Sequence, residues 1–332
     1  MKIRSVLGVF MAIMLLSGCA GQAEPQETEL PRAEETTEET VAVVPETIMP
    51  ELEAVAMAEE PPAPAVAVVL QPEASGEQLA SSDRAEIDYS HTEDGYVMVR
   101  FTGQTEKRLK VQVKGPKTTY SYNLPQEGWT VFPLSDGDGD YQIGVYENVT
   151  GKKYAVVMTQ KMQVQLLDEF VAFLRPNQYV NYSEATNAVA TGLEVTAGRE
   201  DPIEKVEAVY DFVVAHLKYD YEKAKTVKSG YLPDLDMVLE EQKGICFDYA
   251  ALMTAMLRSQ GIPCKLVVGY AGSAYHAWIS VWTEESGWVD GAIFFDGQQW
   301  RRMDPTFASS SEGDEAVMDF IQNGKYTVKY LY

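Results

Sequence analysis

The sequence predicts an α+β protein in three parts: a disordered acidic tether, a small all-β sandwich-like domain, and a mixed half in which a cysteine-bearing helix precedes strands. Three observations predict this. Residues 20–85 show no sustained period and almost no aromatics, residues 86–165 alternate apolar and polar positions, and residues 166–332 carry helical apolar faces followed by β-branched runs. At 332 residues the chain is long enough for two folded domains beyond its leading segments.

The leading segment comes first. Lys2 and Arg4 precede an apolar run from Val6 to Leu16, followed by Leu16-Ser17-Gly18-Cys19. This pattern predicts a signal peptide over residues 1–18, too short for a spanning helix. The small residues before Cys19 resemble a bacterial lipobox. That resemblance implies cleavage before Cys19, lipidation of its sulfur, and anchoring to the bacterial cell membrane on its extracytoplasmic face. Multiple acyl chains make such an anchor stable where one is marginal.

Residues 19–85 then read as the lipidated cysteine plus a disordered linker. Glu34-Glu35-Thr36-Thr37-Glu38-Glu39 and Pro61-Pro62-Ala63-Pro64 belong to a Pro-, Glu- and Ala-rich stretch that cannot bury a core. A flexible tether of this length spans roughly 45 Å r.m.s.. Much of the net charge of -23 lies here, which argues against nucleic acid and anionic lipid headgroups as partners.

Residues 86–165 predict short strands. Val97, Val99 and Phe101 alternate with Met98 and Arg100; Leu109, Val111 and Val113 alternate with polar neighbours; Tyr141, Ile143 and Val145 do the same. Gly115-Pro116 and the Ser135–Asp140 run supply turns, so a sandwich-like domain is expected. Asp136, Asp138 and Asp140 have the spacing of a calcium loop, but Tyr141 stands where a glycine is needed, and a β-turn is the better reading.

The domain over 166–332 opens with helices. Asp201-Pro202-Ile203-Glu204 combines an N-cap, Pro at the first helical position and an acid in the first turn. Ile203, Val206, Tyr210, Val213 and Leu217 then mark one apolar face. The Gly- and Pro-bearing segment Ser229–Pro233, with Tyr231, is expected to wall or cover a cleft. A second helix is predicted from Gly244 onward, with Cys246, Tyr249, Ala250, Met253 and Leu257 on one face and Gly261 and Pro263 beyond its end. Lys265–Tyr270 and Ala277–Val281 read as strands, Trp300–Met303 as a third leading into Asp304, and Tyr326–Tyr332 as a closing strand.

The chemistry concentrates in Gly244-Ile245-Cys246-Phe247-Asp248-Tyr249-Ala250, Tyr275-His276-Ala277-Trp278 and Met303-Asp304-Pro305-Thr306. The chain has only three cysteines and three histidines, so a nucleophile and its base have few other candidates. A thiol attacks a carbonyl as thiolate, and a free thiol ionises only near pH 8.5. A helix N-terminus favours the anion. His276 can form the thiolate–imidazolium pair and shuttle the proton, and Asp304 can fix its tautomer. The Cys246 backbone N–H is a natural oxyanion donor. Asp248 opposes a neighbouring thiolate, so a cation is required, and His276 is the expected one. A nucleophile on a helix with base and orienter on strands is a papain-type arrangement.

In the order Cys, His, Asp, with GICFDYA, YHAW and MDPTF, residues 165–332 resemble the transglutaminase-like superfamily. The resemblance implies a papain-like α+β core, with Cys246 as nucleophile, His276 as base and Asp304 as orienter. The stretch from Glu284 to Gln299 is long for a compact member and is expected to be a hairpin walling the cleft. Trp278, Gly244 and Tyr231 are further cleft candidates.

Other residues read more plainly. Cys264, between Pro263 and a strand, is expected to be a buried, reduced core thiol. His216 closes a helix and suits its C-terminal dipole; His91 sits in a polar turn. No Cys/His cluster has zinc spacing and no phosphate loop is present, so neither metal nor cofactor is expected. The expected function is a lipid-anchored cysteine enzyme that cleaves or transfers an amide acyl group via a thioester, with peptidase or amidase action ahead of cross-linking. Its partners would be a protein or peptide substrate, a cell-wall peptide among the options, and the membrane through Cys19. The alternative is a catalytically silent surface scaffold using the same cleft.

Overall fold

The computed structural model describes residues 66–290, 294–295, 300–301, 304–311 and 324–332. The expected signal peptide, the Cys19 lipidation site and the tether through residue 65 lie outside the described residues.

The ordered chain starts earlier than its composition suggested. Strand β1 (Leu79–Ser81) falls inside the stretch expected to be tether, and pairs antiparallel with β2 (Ala85–Asp88). Upstream of it, Val68 N–H donates to Ser259 O at 2.7 Å, and Gly76 N–H donates to Asp88 Oδ2 at 2.7 Å. The run Ala65-Val66-Ala67-Val68-Val69-Leu70 lacks charge, and Ala67 and Val69 pack against the core. That apolar contact offsets the cost of ordering the segment.

The β unit continues with β3 (Tyr96–Phe101), β4 (Leu109–Lys114), β5 (Thr119–Leu124), β6 (Thr130–Pro133), β7 (Gly139–Thr150) and β8 (Lys153–Val164). They form two four-stranded antiparallel sheets, β1-β2-β3-β6 and β5-β4-β7-β8. The expected inward positions Val97, Val99, Phe101, Leu109, Val111, Val113, Tyr141, Ile143 and Val145 are all buried, but in β3 Met98, expected on the opposite face, is buried as well. The Asp136 carboxylate accepts from Lys117 N–H (2.9 Å), Thr118 N–H (2.6 Å) and Tyr120 OH (3.0 Å), so it serves a turn.

The mixed half holds α1 (Asn187–Val195), α2 (Pro202–His216), β9 (Lys218–Tyr219), α3 (Tyr221–Thr226), α4 (Leu235–Glu241), β10 (Lys243–Gly244), α5 (Cys246–Arg258), β11 (Cys264–Ala271) and β12 (Ala274–Thr283). They are followed by β13 (Gly287–Asp290), β14 (Phe294–Phe295), β15 (Trp300–Arg301), α6 (Pro305–Ser311) and β16 (Tyr326–Leu331). The main sheet runs β13-β12-β11-β16, with every pairing antiparallel. Helix α5 lies against β11 and β12 and is flanked by α1, α2 and α4, so its residues from Asp248 onward are buried. Asp201 caps α2 as expected, accepting from Ile203 N–H at 2.8 Å.

Arg258, at the end of α5, is fully buried. Its guanidinium donates to Cys264 O (2.8 Å), Arg175 O (2.6 Å) and Tyr332 O (2.7 Å), tying the helix to β11, to the end of β16 and to the segment that follows the β unit. Burial lowers its pKa from the usual arginine value.

Tyrosines join the two halves. Tyr120 and Tyr122 of β5 lie with ring centroids 5.7 and 5.8 Å from Tyr332, and Tyr122 is 5.4 Å from Tyr179. The buried residues of both halves form one continuous cluster.

Two strand expectations are corrected. Among the described residues strand β15 pairs with β14 and not with the main sheet, and Asp304 directly precedes α6. Pro305 opens that helix and Asp304 Oδ1 accepts from Thr306 N–H at 3.1 Å, the same Asp-Pro start seen at α2. The start of the Glu284–Gln299 excursion turns back as a hairpin, β12–β13, as far as Asp290; its Trp288 packs on Phe173 (5.5 Å) and Phe170 (5.9 Å) and does not line the cavity, and residues 291–293 and 296–299 lie outside the described residues.

Candidate active site

Cys246 is the first residue of α5, after Ile245 in extended conformation (φ -100°, ψ 173°). Its backbone N–H therefore belongs to the turn whose N–H groups have no intrahelical partner, and the positive end of the helix dipole meets the sulfur. The thiol is half-buried.

Asp248, in the same turn, is fully buried and engaged on every side. Its Oδ2 accepts from Ile245 N–H at 2.8 Å and from Lys223 Nζ at 2.8 Å, and its Oδ1 accepts from Tyr231 OH at 2.5 Å. Lys223 Nζ also donates to Tyr231 OH at 2.6 Å. The cation that neutralises Asp248 is thus Lys223, which leaves His276 as the expected partner of the Cys246 thiolate. Gly244 lies beneath this carboxylate: a Cβ there would sit 2.6 Å from that of Asp248. Gly244 makes room for the network and does not line the cleft.

His276 stands on β12 and is 5% exposed, opposite Gly269 of β11. Its Nε2 lies 2.6 Å from Asp304 Oδ2, which leaves Nδ1 as the ring nitrogen for the Cys246 thiol. Tyr326 OH donates to the same Asp304 oxygen at 3.2 Å. Burial alone would lower the imidazolium pKa. The Asp304 charge and hydrogen bond, then the contacts with Cys246, outweigh burial and lift it to about 10. Trp278 stacks behind the ring at 6.1 Å and meets Tyr326 edge-on at 5.2 Å. It is buried, so the cleft role expected for it becomes one of backing the histidine.

Cys246 and His276 open onto a cavity of about 430 Å³ whose walls include Tyr179, Tyr231, Tyr275 and Tyr332. Tyr231, expected as a cleft residue, is among them. A wider concavity of about 560 Å³ lies on the β unit near Lys114, Tyr141 and Lys161 and contains none of these groups. Cys264 is buried beside Thr254 Oγ1 (3.6 Å), and burial pushes its thiol up to about 11. Both described cysteines are free. His216 Nε2 lies 3.1 Å from Leu239 O, and His91 Nδ1 3.2 Å from Asp94; neither lines the cavity. Among the described residues no group of three or more His, Cys, Asp or Glu could hold a metal ion.

Sequence reasoning missed Lys223 and Tyr326. Lys223 follows the N-cap Asp220, a recognisable helix start, but its contact with Asp248 spans 25 residues and leaves no local pattern. Tyr326 was legible only as part of a strand.

Residues 189–305 match the model of the transglutaminase-like superfamily. The chain is 23% identical over 195 residues to an uncharacterized protein of Bacillus subtilis (strain 168), YebA, covering 52% of this chain and 26% of that one. It is 29% identical over 98 residues to a protein-glutamine gamma-glutamyltransferase of Pseudomonas aeruginosa, covering 25% of this chain and 13% of that one. It is 31% identical over 109 residues to the kyphoscoliosis peptidase of Mus musculus, covering 32% and 16%. The chain therefore spans about a quarter or less of these relatives' lengths.

Proposed function

We propose that this chain, which carries a transglutaminase-like superfamily domain, is a cysteine enzyme that cleaves or transfers an amide acyl group through a Cys246 thioester. The observation that carries this reading is the convergence of a helix-N-terminal thiol, a buried imidazole and a carboxylate 2.6 Å behind it, at a cavity able to take a peptide side chain.

The steps follow from the geometry. The Cys246 thiolate attacks the amide carbonyl carbon, and the Cys246 N–H stabilises the oxyanion. The tetrahedral intermediate collapses with loss of the C–N bond, and the His276 imidazolium gives its proton to the leaving amine. The neutral imidazole then takes a proton from water or from an amine as that acceptor attacks the thioester. An acid or a new amide leaves, and the ion pair is restored. Asp304 holds the ring throughout. We favour hydrolysis, because Tyr275 at the rim is 62% exposed and solvent is the acceptor at hand there.

We further propose, from Leu16-Ser17-Gly18-Cys19, that the protein is lipid-anchored at the outer face of a bacterial cell membrane and acts on protein or wall peptide there. A silent binding cleft is the competing reading, and a Cys246–Cys264 disulfide would favour it.

The test uses the full chain with a mixture of peptides. Amine release and a Cys246-linked acyl adduct in the mass spectrum are expected, both lost in Cys246→Ala. Turnover retained by Cys246→Ala sinks the proposal. Membrane association lost in Cys19→Ala checks the anchor.

A further inference from the structure

The cavity walls differ from the rest of the molecule. The chain carries a net charge of -23, yet among the described residues no carboxylate lines the space before Cys246. Asp248, two residues after the nucleophile, is fully buried and taken up by Lys223, Tyr231 and the Ile245 N–H, and Asp304 is buried behind His276. Apart from His276, the charged side chain lining the cavity among the described residues is Lys228, which is exposed.

Apart from Ser229 and the nucleophile, the remaining described walls are aromatic or apolar. Phe247, next to the nucleophile, meets Tyr179 edge-on at 5.5 Å and Tyr231 at 6.3 Å. Tyr275, next to the base, is braced by its cross-strand neighbour Tyr270 at 5.5 Å. Val227 and Val268 complete the apolar surface. The phenols of Tyr179, Tyr219, Tyr231, Tyr275 and Tyr332 are all raised by burial first, so they present neutral hydroxyls. Rings set edge-to-face on two sides of a cleft suit a third ring or a branched aliphatic group. A desolvated site without a carboxylate rejects an ammonium or guanidinium.

We infer that the acyl donor carries a bulky uncharged side chain, aromatic or large aliphatic, beside the carbonyl that Cys246 attacks, and that Phe247, Tyr231 and Tyr275 form the subsite for it. Tyr231 and Tyr275 are specificity-determining here, since they contact the donor and not the reacting atoms. The inference rests on the cysteine acyl-transfer reading and names its substrate class.

The test is a matched series of N-acetyl aminoacyl chloromethyl ketones with Phe, Leu, Gly, Asp or Lys side chains. Alkylation of Cys246 in the full chain is followed by mass spectrometry, with iodoacetamide as a side-chain-free reference. The Phe and Leu probes should react about tenfold or more faster than the Gly probe, the range that filling a hydrophobic pocket commands. The Lys probe should be slowest. Tyr275→Ala should draw the Phe-to-Gly ratio toward one, and Tyr275→Phe should keep it, because the ring and not the hydroxyl forms the wall. Tyr275 is largely exposed, so the truncation leaves the fold intact. Equal rates across the series, or fastest reaction with the Lys or Asp probe, overturn the inference while prompt iodoacetamide labelling of Cys246 leaves the enzyme reading standing. Iodoacetamide labelling no faster at Cys246 than at Cys264 overturns both.

Discussion

Lys223 Nζ stands 2.8 Å from Asp248 Oδ2, joining the short helix α3 to the first turn of the nucleophile helix. Tyr231, on the loop after α3, shares that carboxylate, so one buried acid fixes both the start of α5 and a wall of the cleft. Lys223→Met leaves the acid with a lost charge partner. Because Lys223 is partly exposed, a modest cost of about 1–3 kcal/mol is expected. The loop should also loosen, and trypsin should cut after Lys228 faster than in the parent protein. Unchanged cleavage would show that Asp248 does not hold the wall.

The His276–Asp304 pair sets a pH dependence. The imidazole pKa is about 10 in the folded chain and about 6.5 unfolded. Its stabilisation is therefore complete below pH 6.5 and is lost as pH rises through 10. The urea midpoint should decline across that window, and the difference from Asp304→Asn should shrink toward pH 10. A parallel offset at all pH values would rule out this linkage.

Cys264 supplies an internal control. Its thiol is buried and shifted up to about 11, so alkylating reagents should modify it only on unfolding. Peptide mapping after brief treatment at neutral pH should find label on Cys246 and none on Cys264.

Arg258 holds three carbonyl oxygens at once. Arg258→Ala removes all three bonds, although Tyr332 O still accepts from Leu266 N–H at 2.9 Å, and a loss on the order of 3–5 kcal/mol is expected in denaturant titration. Lysine, with its compact ammonium, should recover only part of this.

Much of this architecture is legible locally. The period-two runs of β3, β4 and β7 and the apolar face of α2 announce themselves because a single buried face dictates each pattern. The site is legible because Cys246 and His276 are rare residue types in telling contexts. Asp304 shows where reading by run length misleads. The Trp300–Met303 run suggested a strand ending in Asp304, although Asp304-Pro305-Thr306 has the same helix-opening chemistry as Asp201-Pro202-Ile203. What stays hidden is contact between distant segments. Nothing near Lys223 signals Asp248, nothing near Trp288 signals Phe170 and Phe173, and the apolar run at 66–70 packs down only because a surface elsewhere receives it.

The tyrosine seam between β5 and the end of β16 has a thermal consequence. Tyr179 and Tyr332 wall the cleft on one side and touch Tyr122 on the other. Melting the β unit would strip apolar cover from the very rings that shape the cavity, so neither half has a stable state without its neighbour. Calorimetry should then record one endotherm for both halves, with van't Hoff and calorimetric enthalpies in agreement.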